Sequence, residues 1–366
     1  MLTQYKLGRT PVHAAVTNGA PLNVVSHVLE LRPLALAEKD AWGRTPLACA
    51  CMNARDGDAN AANILKLLLT EKGIRTLDRG GMTPLHVACA NCASMENIHL
   101  LIDAFPEAMQ LPDGNGKLPL HAACSNPRVD VELLELLTTA YPDSLKSFDK
   151  MGSLPLHIAI QRKCPTDVVL FLIDKAEGAA RTREAGSKMY PLHMACRSGA
   201  DKVLLEKLIE IYPEAIDAVD SKGNTFFHLA CMCRTMTVEF VEDLLDKCSY
   251  ATITKTNEEE SLPLHIACQH RLEYDVIRVL IDHYREGLLA KDKRGNTPLH
   301  KAFQTTTELK TLVLIAHQDH RAVYRKNKRG DTPPDCVSPA IQKSFRRSRA
   351  WYNLRRAYCP VCVRIV

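Results

Sequence analysis

The 366-residue sequence contains few aromatic residues, which make up 5% of the chain, and no long apolar run. No stretch approaches the 18 or so consecutive apolar residues that a membrane-spanning helix needs. The first nine residues also lack the apolar core of a secretory signal. We therefore expect neither a membrane span nor export.

Motifs that carry catalysis or bind cofactors are missing as well. The sequence has no phosphate-binding loop, no His-Glu-x-x-His and no Gly-x-Ser-x-Gly. Asp113 begins a turn that resembles the start of a calcium loop but lacks its downstream Glu. We therefore predict that the protein is not an enzyme and holds no cofactor.

What the sequence does contain is a four-residue motif, Thr-Pro-Leu-His or a variant of it, that occurs ten times. Consecutive copies lie 35 to 38 residues apart and start at Thr10, Thr45, Thr83, Leu118, Leu154, Tyr190, Thr225, Leu262, Thr297 and Thr332. A fixed period of this length is typical of a solenoid of stacked helical units. We call this motif the repeat motif and number the repeats one to ten.

Local chemistry predicts how each repeat folds. Thr can cap a helix, Pro fits its first turn, and His three residues after Thr can share a hydrogen bond with it. An Asp often stands five residues before the motif and a Gly two residues before it, which predicts a tight turn. Amphipathic runs such as residues 131–137 then predict a second helix. An aromatic-Pro-acid-Ala step, as at Phe105, predicts a further turn after it.

Turn, motif helix and Leu-rich second helix together resemble the ankyrin repeat. The resemblance covers residues 1–337, although these repeats exceed the common 33 residues. It implies an all-α solenoid of paired antiparallel helices with hairpin-finger turns, stacked in a curved right-handed array. We expect a monomer of about ten repeats, followed by a basic C-terminal extension at 338–366.

The repeat explains residues that otherwise suggest a reactive site. Eight of the 14 histidines are the fourth residue of the motif, and six of the 14 cysteines stand at one core position just after it. A reduced thiol suits that position, so we expect a cytoplasmic or nuclear protein. Cys359 and Cys362 near the C-terminus have a metal-ligand spacing; they form half of a zinc site without its other half, and we predict no metal.

The resemblance also implies a binding surface, since ankyrin proteins bind through the finger tips and the concave face of the first helices. The concave candidates, seven to nine residues after each motif start, are Arg162, Lys163, Arg197, Arg234, His270 and Arg271. The finger-tip candidates are Trp42, Lys293 and Arg294. Such basic positions suit an acidic partner. The alternative is a solvated face without a partner.

The C-terminal extension is the most basic part of the chain. From residue 337 onward there are seven Lys or Arg and no acidic residue, with Trp351, Tyr352 and Tyr358 among them. This mixture is typical of binding to nucleic acid or to an anionic membrane surface. A basic helix that caps the stack is the structural alternative. The main prediction is a non-enzymatic scaffold or adaptor that binds a partner protein, and tail-mediated binding is its alternative.

Overall fold

The computed structural model describes residues 8–53, 59–233, 236–247, 250–305 and 309–336. The chain divides into two compact units, Met1–Gly186 and Ser187–Val366. The boundary falls in the turn before Tyr190, so the sixth repeat begins the second unit. Arg234, Cys359, Cys362 and the basic extension 338–366 lie outside the described residues.

The first unit holds five repeats, each with two antiparallel helices and a short third one. The first helices are Pro11–Thr17, Pro46–Asn53, Pro84–Ala90, Pro119–Cys124 and Pro155–Gln161. The second helices are Leu22–Leu31, Ala59–Leu68, Met95–Ala104, Val131–Ala140 and Thr166–Lys175. The third are Pro33–Ala37, Glu71–Ile74, Pro106–Gln110, Pro142–Lys146 and Glu177–Ala180.

The second unit repeats this arrangement four times. Its first helices are Pro191–Ser198, Phe226–Ala230, Pro263–His270 and Pro298–Thr305. Its second helices are Lys202–Ile211, Val238–Lys247, Tyr274–His283 and Leu309–Gln318. The third helices are Pro213–Ile216, Tyr250–Thr254, Arg285–Leu289 and His320–Tyr324, and the tenth repeat contributes only the 3₁₀ turn Pro333–Cys336.

The segment after each second helix differs from the turn that the sequence predicted. At Phe105 the second helix ends as expected, but Pro106–Gln110 then forms a 3₁₀ helix. Proline favours this outcome because its fixed φ suits a helical first turn and its missing N–H needs no partner there. The extra residues of this long repeat are therefore a third helical element.

The finger turns confirm the roles expected of Asp and Gly. Asp113 Oδ1 accepts hydrogen bonds from the backbone N–H of Asn115 and of Lys117, both at 2.8 Å. Gly116 has φ +78°, which glycine adopts without steric cost. Each finger bonds to the next one through the backbone, as where Lys150 N–H donates to Asn115 O at 2.9 Å. The fingers are thus tight turns joined in register.

The histidine of the repeat motif joins each repeat to the following one. His86 Nδ1 accepts a hydrogen bond from Thr83 N–H at 3.3 Å. Since a backbone N–H can only donate, Nδ1 is unprotonated and Nε2 carries the proton. Nε2 then donates to Lys117 O of the next repeat at 2.9 Å. One buried imidazole therefore satisfies a donor in its own repeat and an acceptor in its neighbour.

The bond from Nε2 to the next repeat recurs wherever the motif keeps its histidine. The accepting carbonyls lie 2.9–3.1 Å from Nε2; the pairs are His13–Arg44, His86–Lys117, His121–Ser147, His157–Thr182, His193–Ala218, His228–Ser261, His265–Asn296 and His300–Asp331. All eight rings are fully buried. These bonds extend the sequence prediction, which paired each histidine only with the Thr of its own motif.

Motifs that begin with Leu lack the Thr hydroxyl cap but keep the other half of the interaction. The backbone N–H of Leu118 still donates to His121 Nδ1 at 3.1 Å. Its side chain is only 6% exposed. Burial of a leucine side chain is worth roughly 1.5–3 kcal/mol, which offsets a lost cap of about 1 kcal/mol. Leu154 and Leu262 follow the same pattern.

The apolar core lies between the helices of successive repeats. The Leu of the motif is buried at Leu47, Leu85, Leu120 and Leu156. In the seventh repeat Phe226 and Phe227 replace Pro-Leu, both fully buried and in edge-to-face contact with ring centroids 5.9 Å apart. The cysteines just after the motif are buried as predicted.

Burial keeps the bridging histidines neutral. Desolvation lowers the pKa of His228 and of His265 to about 4, and it also lowers the pKa of His13, His86, His121, His157 and His300. A proton on Nδ1 would also face the backbone N–H that now donates to it. Protonation is therefore incompatible with the bridge.

Replacing one bridging histidine should weaken the stack far more than replacing an exposed one. His86→Ala leaves Thr83 N–H and Lys117 O buried without their partner, at about 1–3 kcal/mol each. We expect a loss of about 3 kcal/mol in urea unfolding. His99→Ala, on the exposed face of the same repeat, should change the unfolding free energy by less than about 0.5 kcal/mol. Equal losses for the two variants would contradict the bridging role.

Stability should also fall as the pH falls from 7 towards 4. The folded-state pKa of these histidines is below the unfolded value of 6.5, so the unfolded chain binds more protons in this window. At pH 5, His228 and His265 should each cost about 2 kcal/mol relative to pH 7. Urea unfolding at several pH values measures this, and His265→Asn should flatten the profile. A wild-type profile that is level from pH 7 to 5 would refute the prediction.

Candidate partner-binding surface

The described ends of several first helices share an unusual backbone conformation. Nine residues after the motif start, five repeats have a residue with positive φ: Gly19 at +68°, Cys92 at +50°, Lys163 at +58°, Gly199 at +74° and Arg271 at +60°. Each follows the first helix and turns the chain towards the second. Two of these five positions, which favour glycine, thus hold predicted binding residues.

Lys163 and Arg271 pay a steric cost for this conformation. A residue with a Cβ in the left-handed region is disfavoured by about 1 kcal/mol or more. Both side chains are exposed, and neither forms an ion pair with any residue that the structure describes. Backbone hydrogen bonds close each turn, from Cys164 N–H to Ala159 O at 3.0 Å and from Leu272 N–H to Ala267 O at 3.1 Å, and a glycine at the left-handed position would allow the same bonds without the strain.

The neighbouring candidates occupy the same helix ends. Exposed Arg162 is the residue that follows Pro155–Gln161, while exposed Arg197 and half-buried His270 lie in the last turns of their helices. Arg197 Nη1 lies 3.9 Å from Met189 Sδ. Cations at this end also interact favourably with the helix dipole, which gives them a structural role as well.

The predicted basic stripe is divided between the two units. Arg162 and Lys163 lie in Met1–Gly186, whereas Arg197, His270 and Arg271 lie in Ser187–Val366. Arg162 and Lys163 belong to the fifth repeat, Arg197 to the sixth, and His270 and Arg271 to the eighth. Arg234 is outside the described residues, so its place in the stripe stays a prediction.

The side chain of Trp42 is less exposed than its position at a finger tip predicted. Its side chain is 42% exposed, and the guanidinium groups of Arg44 and Arg9 lie 4.4 Å and 5.5 Å from the centre of its ring. Arg44 also forms an ion pair with Asp40, with 2.7 Å between Nη2 and Oδ2. Trp42 is therefore half covered by cation–π contacts within its own repeat and the one before.

Lys293 and Arg294 lie on the finger of the ninth repeat and line a cleft of about 640 Å³ with the finger that follows. Both side chains are exposed. Their companions across the cleft are Lys328 and Arg329. The structure thus groups four finger-tip cations of two adjacent repeats around one cleft, of which the sequence prediction singled out only the first two.

The buried cysteines are unreactive in this fold. Burial raises the pKa of the Cys268 thiol to about 12 and that of Cys49 and Cys164 to about 11. Thiols of such pKa values are protonated at neutral pH and are weak nucleophiles. Among the described residues, no group of three or more His, Cys, Asp or Glu is arranged to hold a metal ion. Cys359 and Cys362, the weak metal candidates, lie outside this part of the chain.

None of the described helices has the length and the apolar content that crossing a membrane requires. The sequence analysis named Lys163 and Arg271 as binding candidates but missed their left-handed conformation. Gly19 and Gly199, which stand at the same distance after their motifs as Lys163 and Arg271, were the available signal.

Comparison with known proteins agrees with the fold. A family model described as ankyrin repeats, in three copies, matches residues 34–110, 85–182 and 156–257, which together cover more than half of the chain. A chain in the solved complex of a predatory endopeptidase from Bdellovibrio bacteriovorus, Bd0816, with the immunity protein Bd3460 is similar at 16% identity and a TM-score of 0.46. That match covers 54% of this chain and 96% of the other, and it is too distant to bear on function. The protein described here belongs to the ankyrin-repeat family.

Proposed function

We propose that this chain is a non-enzymatic scaffold or adaptor that binds an acidic surface of a partner protein. Ankyrin repeats are in general protein–protein interaction modules. The observation that carries the proposal is the left-handed conformation of exposed Lys163 and Arg271. At a position where glycine costs less, an exposed cation that forms no ion pair within the described chain is available to an external acidic partner.

The steric strain at Lys163 and Arg271 and the effect of their charge have different origins. The strain lies in the folded chain alone, whereas the charge acts on whatever approaches the helix ends. A local patch of one sign speeds and orients the approach of a partner of the opposite sign, and its effect weakens with salt. Arg162 and Arg197, at the same helix ends, would add to the patch, as would Arg234 and His270. Trp42, Lys293 and Arg294 are the proposed finger-tip contacts.

The buried histidines and cysteines support two further parts of the proposal, the non-enzymatic role and the compartment. The histidines of the repeat motif are neutral and used in bridges, and the buried thiols are protonated, so the groups that most resemble catalytic ones serve the fold. Free cysteines in the described chain suit a reducing compartment, and we propose a cytoplasmic or nuclear protein that acts as a monomer.

Replacing the two strained cations with glycine should make the protein more stable. Lys163→Gly/Arg271→Gly removes a Cβ from a left-handed position in each unit, worth about 1 kcal/mol at each site. We expect urea midpoints above the wild type. The matched control Lys146→Ala/Lys310→Ala also removes one exposed cation from each unit, away from the first helices, and should leave the midpoint nearly unchanged. A destabilised glycine variant would show that the cations support the fold.

The same variants test the proposed function. Full-length wild type and both variants are immobilised in equal amounts and exposed to one cell extract, and bound proteins are quantified by mass spectrometry. We expect at least one acidic protein to be retained by the wild type and the Lys146/Lys310 control but lost from the more stable Lys163/Arg271 variant. Identical bound sets for all three proteins would refute binding at these helix ends.

Binding through the basic extension is the second candidate, favoured by its seven cations without an acidic residue. Nucleic acid and anionic membranes are its expected ligands. Deletion of residues 338–366 separates the two candidates in the same capture experiment. Retained proteins that depend on the extension but not on Lys163 and Arg271 would favour this second function.

A further inference from the structure

The cleft between the last two described fingers is lined by polar side chains and carries several cationic ones. It has a volume of about 640 Å³, and its lining includes Lys293 and Arg294 of one finger and Lys328 and Arg329 of the next. The first helix Pro298–Thr305 contributes Lys301 and Gln304. The cleft is therefore a built concavity whose rim is formed by two basic finger tips.

Most of the cations at this rim form no ion pair within the described chain. Lys301 Nζ lies 2.9 Å from Asp292 Oδ2 and is neutralised by it. Arg294, Lys328 and Arg329 form no ion pair with any residue that the structure describes. Lys293 Nζ donates to the backbone carbonyl of Glu258 at 3.5 Å and forms no ion pair within the described part of the chain.

Two carboxylates also line the cleft. Asp335 Oδ2 accepts a hydrogen bond from Thr332 N–H at 3.0 Å and a second one from the Thr332 hydroxyl. The other is Asp331, whose backbone carbonyl accepts the bridge from His300. Four rim cations against these two acids leave the cleft positive.

The turn of the last finger keeps its geometry without the usual negative charge. Six other fingers begin with an Asp, but here Asn327 Oδ1 accepts from Arg329 N–H at 2.9 Å and from Asp331 N–H at 3.0 Å. Its amide then donates to Asn296 Oδ1 at 3.1 Å. Asn327 therefore forms the same two turn bonds that Asp forms in those six fingers, but it places no negative charge in the cleft.

The finger before these two carries the opposite charge. Residues 258–260 are three exposed glutamates, and they form no ion pair within the described chain. Lys293 N–H donates to Glu259 O at 2.8 Å, so the two fingers touch through the backbone. The opposite charges of adjacent fingers thus stay unpaired, and the positive surface ends sharply at the ninth finger.

We propose that this cleft binds an acidic peptide segment, a run of Asp or Glu side chains, of the partner protein. Arginine and lysine bind carboxylates through charge-assisted hydrogen bonds. Among the residues that the structure describes, the lining contains no aromatic side chain on which nucleic-acid bases would stack, which favours a peptide over a single-stranded nucleic acid. The chain's own basic extension has no acidic residue and so does not fit the cleft.

This inference rests on the proposed function and deepens its finger-tip part, since Lys293 and Arg294 are among the contacts proposed there; it does not involve the helix ends. Asn327→Asp restores the common turn residue and adds one negative charge inside the cleft. Asn257→Asp is its matched control, since Asn257 makes the same turn bonds and donates to Asn224 Oδ1 at 2.8 Å. Both variants lose one amide–amide bond, and only the first changes the charge of the cleft.

Fluorescence polarisation of a labelled oligoglutamate peptide on the full-length proteins tests the proposal. We expect Asn327→Asp to weaken binding roughly fivefold or more, because one new charge beside the ligand costs about 1 kcal/mol. Asn257→Asp should bind like the wild type. Arg294→Gln/Arg329→Gln, which leaves the turn bonds intact, should weaken binding further, and an oligoglutamine peptide should not bind. The basic extension is present in every variant and contributes equally.

Equal oligoglutamate binding by the Asn327 and Asn257 variants would overturn the proposal. So would a single-stranded oligonucleotide whose binding falls in Asn327→Asp while oligoglutamate binding does not, since the cleft would then be a nucleic-acid site. These outcomes are independent of the helix-end test. If Lys163→Gly/Arg271→Gly captures every protein that the wild type does, the helix-end proposal fails while the cleft still stands or falls on its own pair of variants.

Discussion

The buried imidazole that joins one repeat to the next is the interaction on which this fold depends. Its Nδ1 accepts from the start of its own helix and its Nε2 donates to a carbonyl of the following repeat, as His121 does with Leu118 and Ser147. Both bonds require a neutral ring in one tautomer. The repeat motif is therefore a connector: its Leu supplies apolar burial, and its His fixes the register between neighbours. In a solenoid, where each repeat contacts only its neighbours, such a connector determines cooperativity.

Because the side chains of the repeat motif are buried, a partner would be bound by residues outside the motif, at positions where the residue type varies between repeats. Lys163 and Arg271 show this at the helix ends, where a left-handed backbone is required but the side chain is free to change. Asn327 shows it at the fingers, where either Asp or Asn completes the turn and the choice sets the local charge. The same scaffold can thus carry different surfaces at small cost in stability.

Much of the fold was predictable from local chemistry, and the surface much less so. Asp113 and Gly116 predict their turn because few residue types can form its hydrogen bonds or adopt its positive φ. The Thr-Pro-Leu-His spacing likewise predicts its helix. The bridge from His121 to Ser147 was missed because nothing in a single sequence shows which carbonyl the second ring nitrogen meets. The 3₁₀ helices were missed because proline marks both a turn and a helix start. The stripe through Arg162 and Lys163 was inferred by position, while their conformations and the cleft depend on three-dimensional packing.

The most direct test of the connector role is the protonation state of the histidines in solution. Nitrogen-15 NMR of histidine-labelled protein distinguishes the two neutral tautomers and the cation. For the motif histidines, neutral rings protonated at Nε2 and bare at Nδ1 are expected at pH 7, with no titration near 6.5. Motif histidines that are protonated at Nδ1, or that titrate near pH 6.5, would contradict the role of the ring as a bridge between repeats.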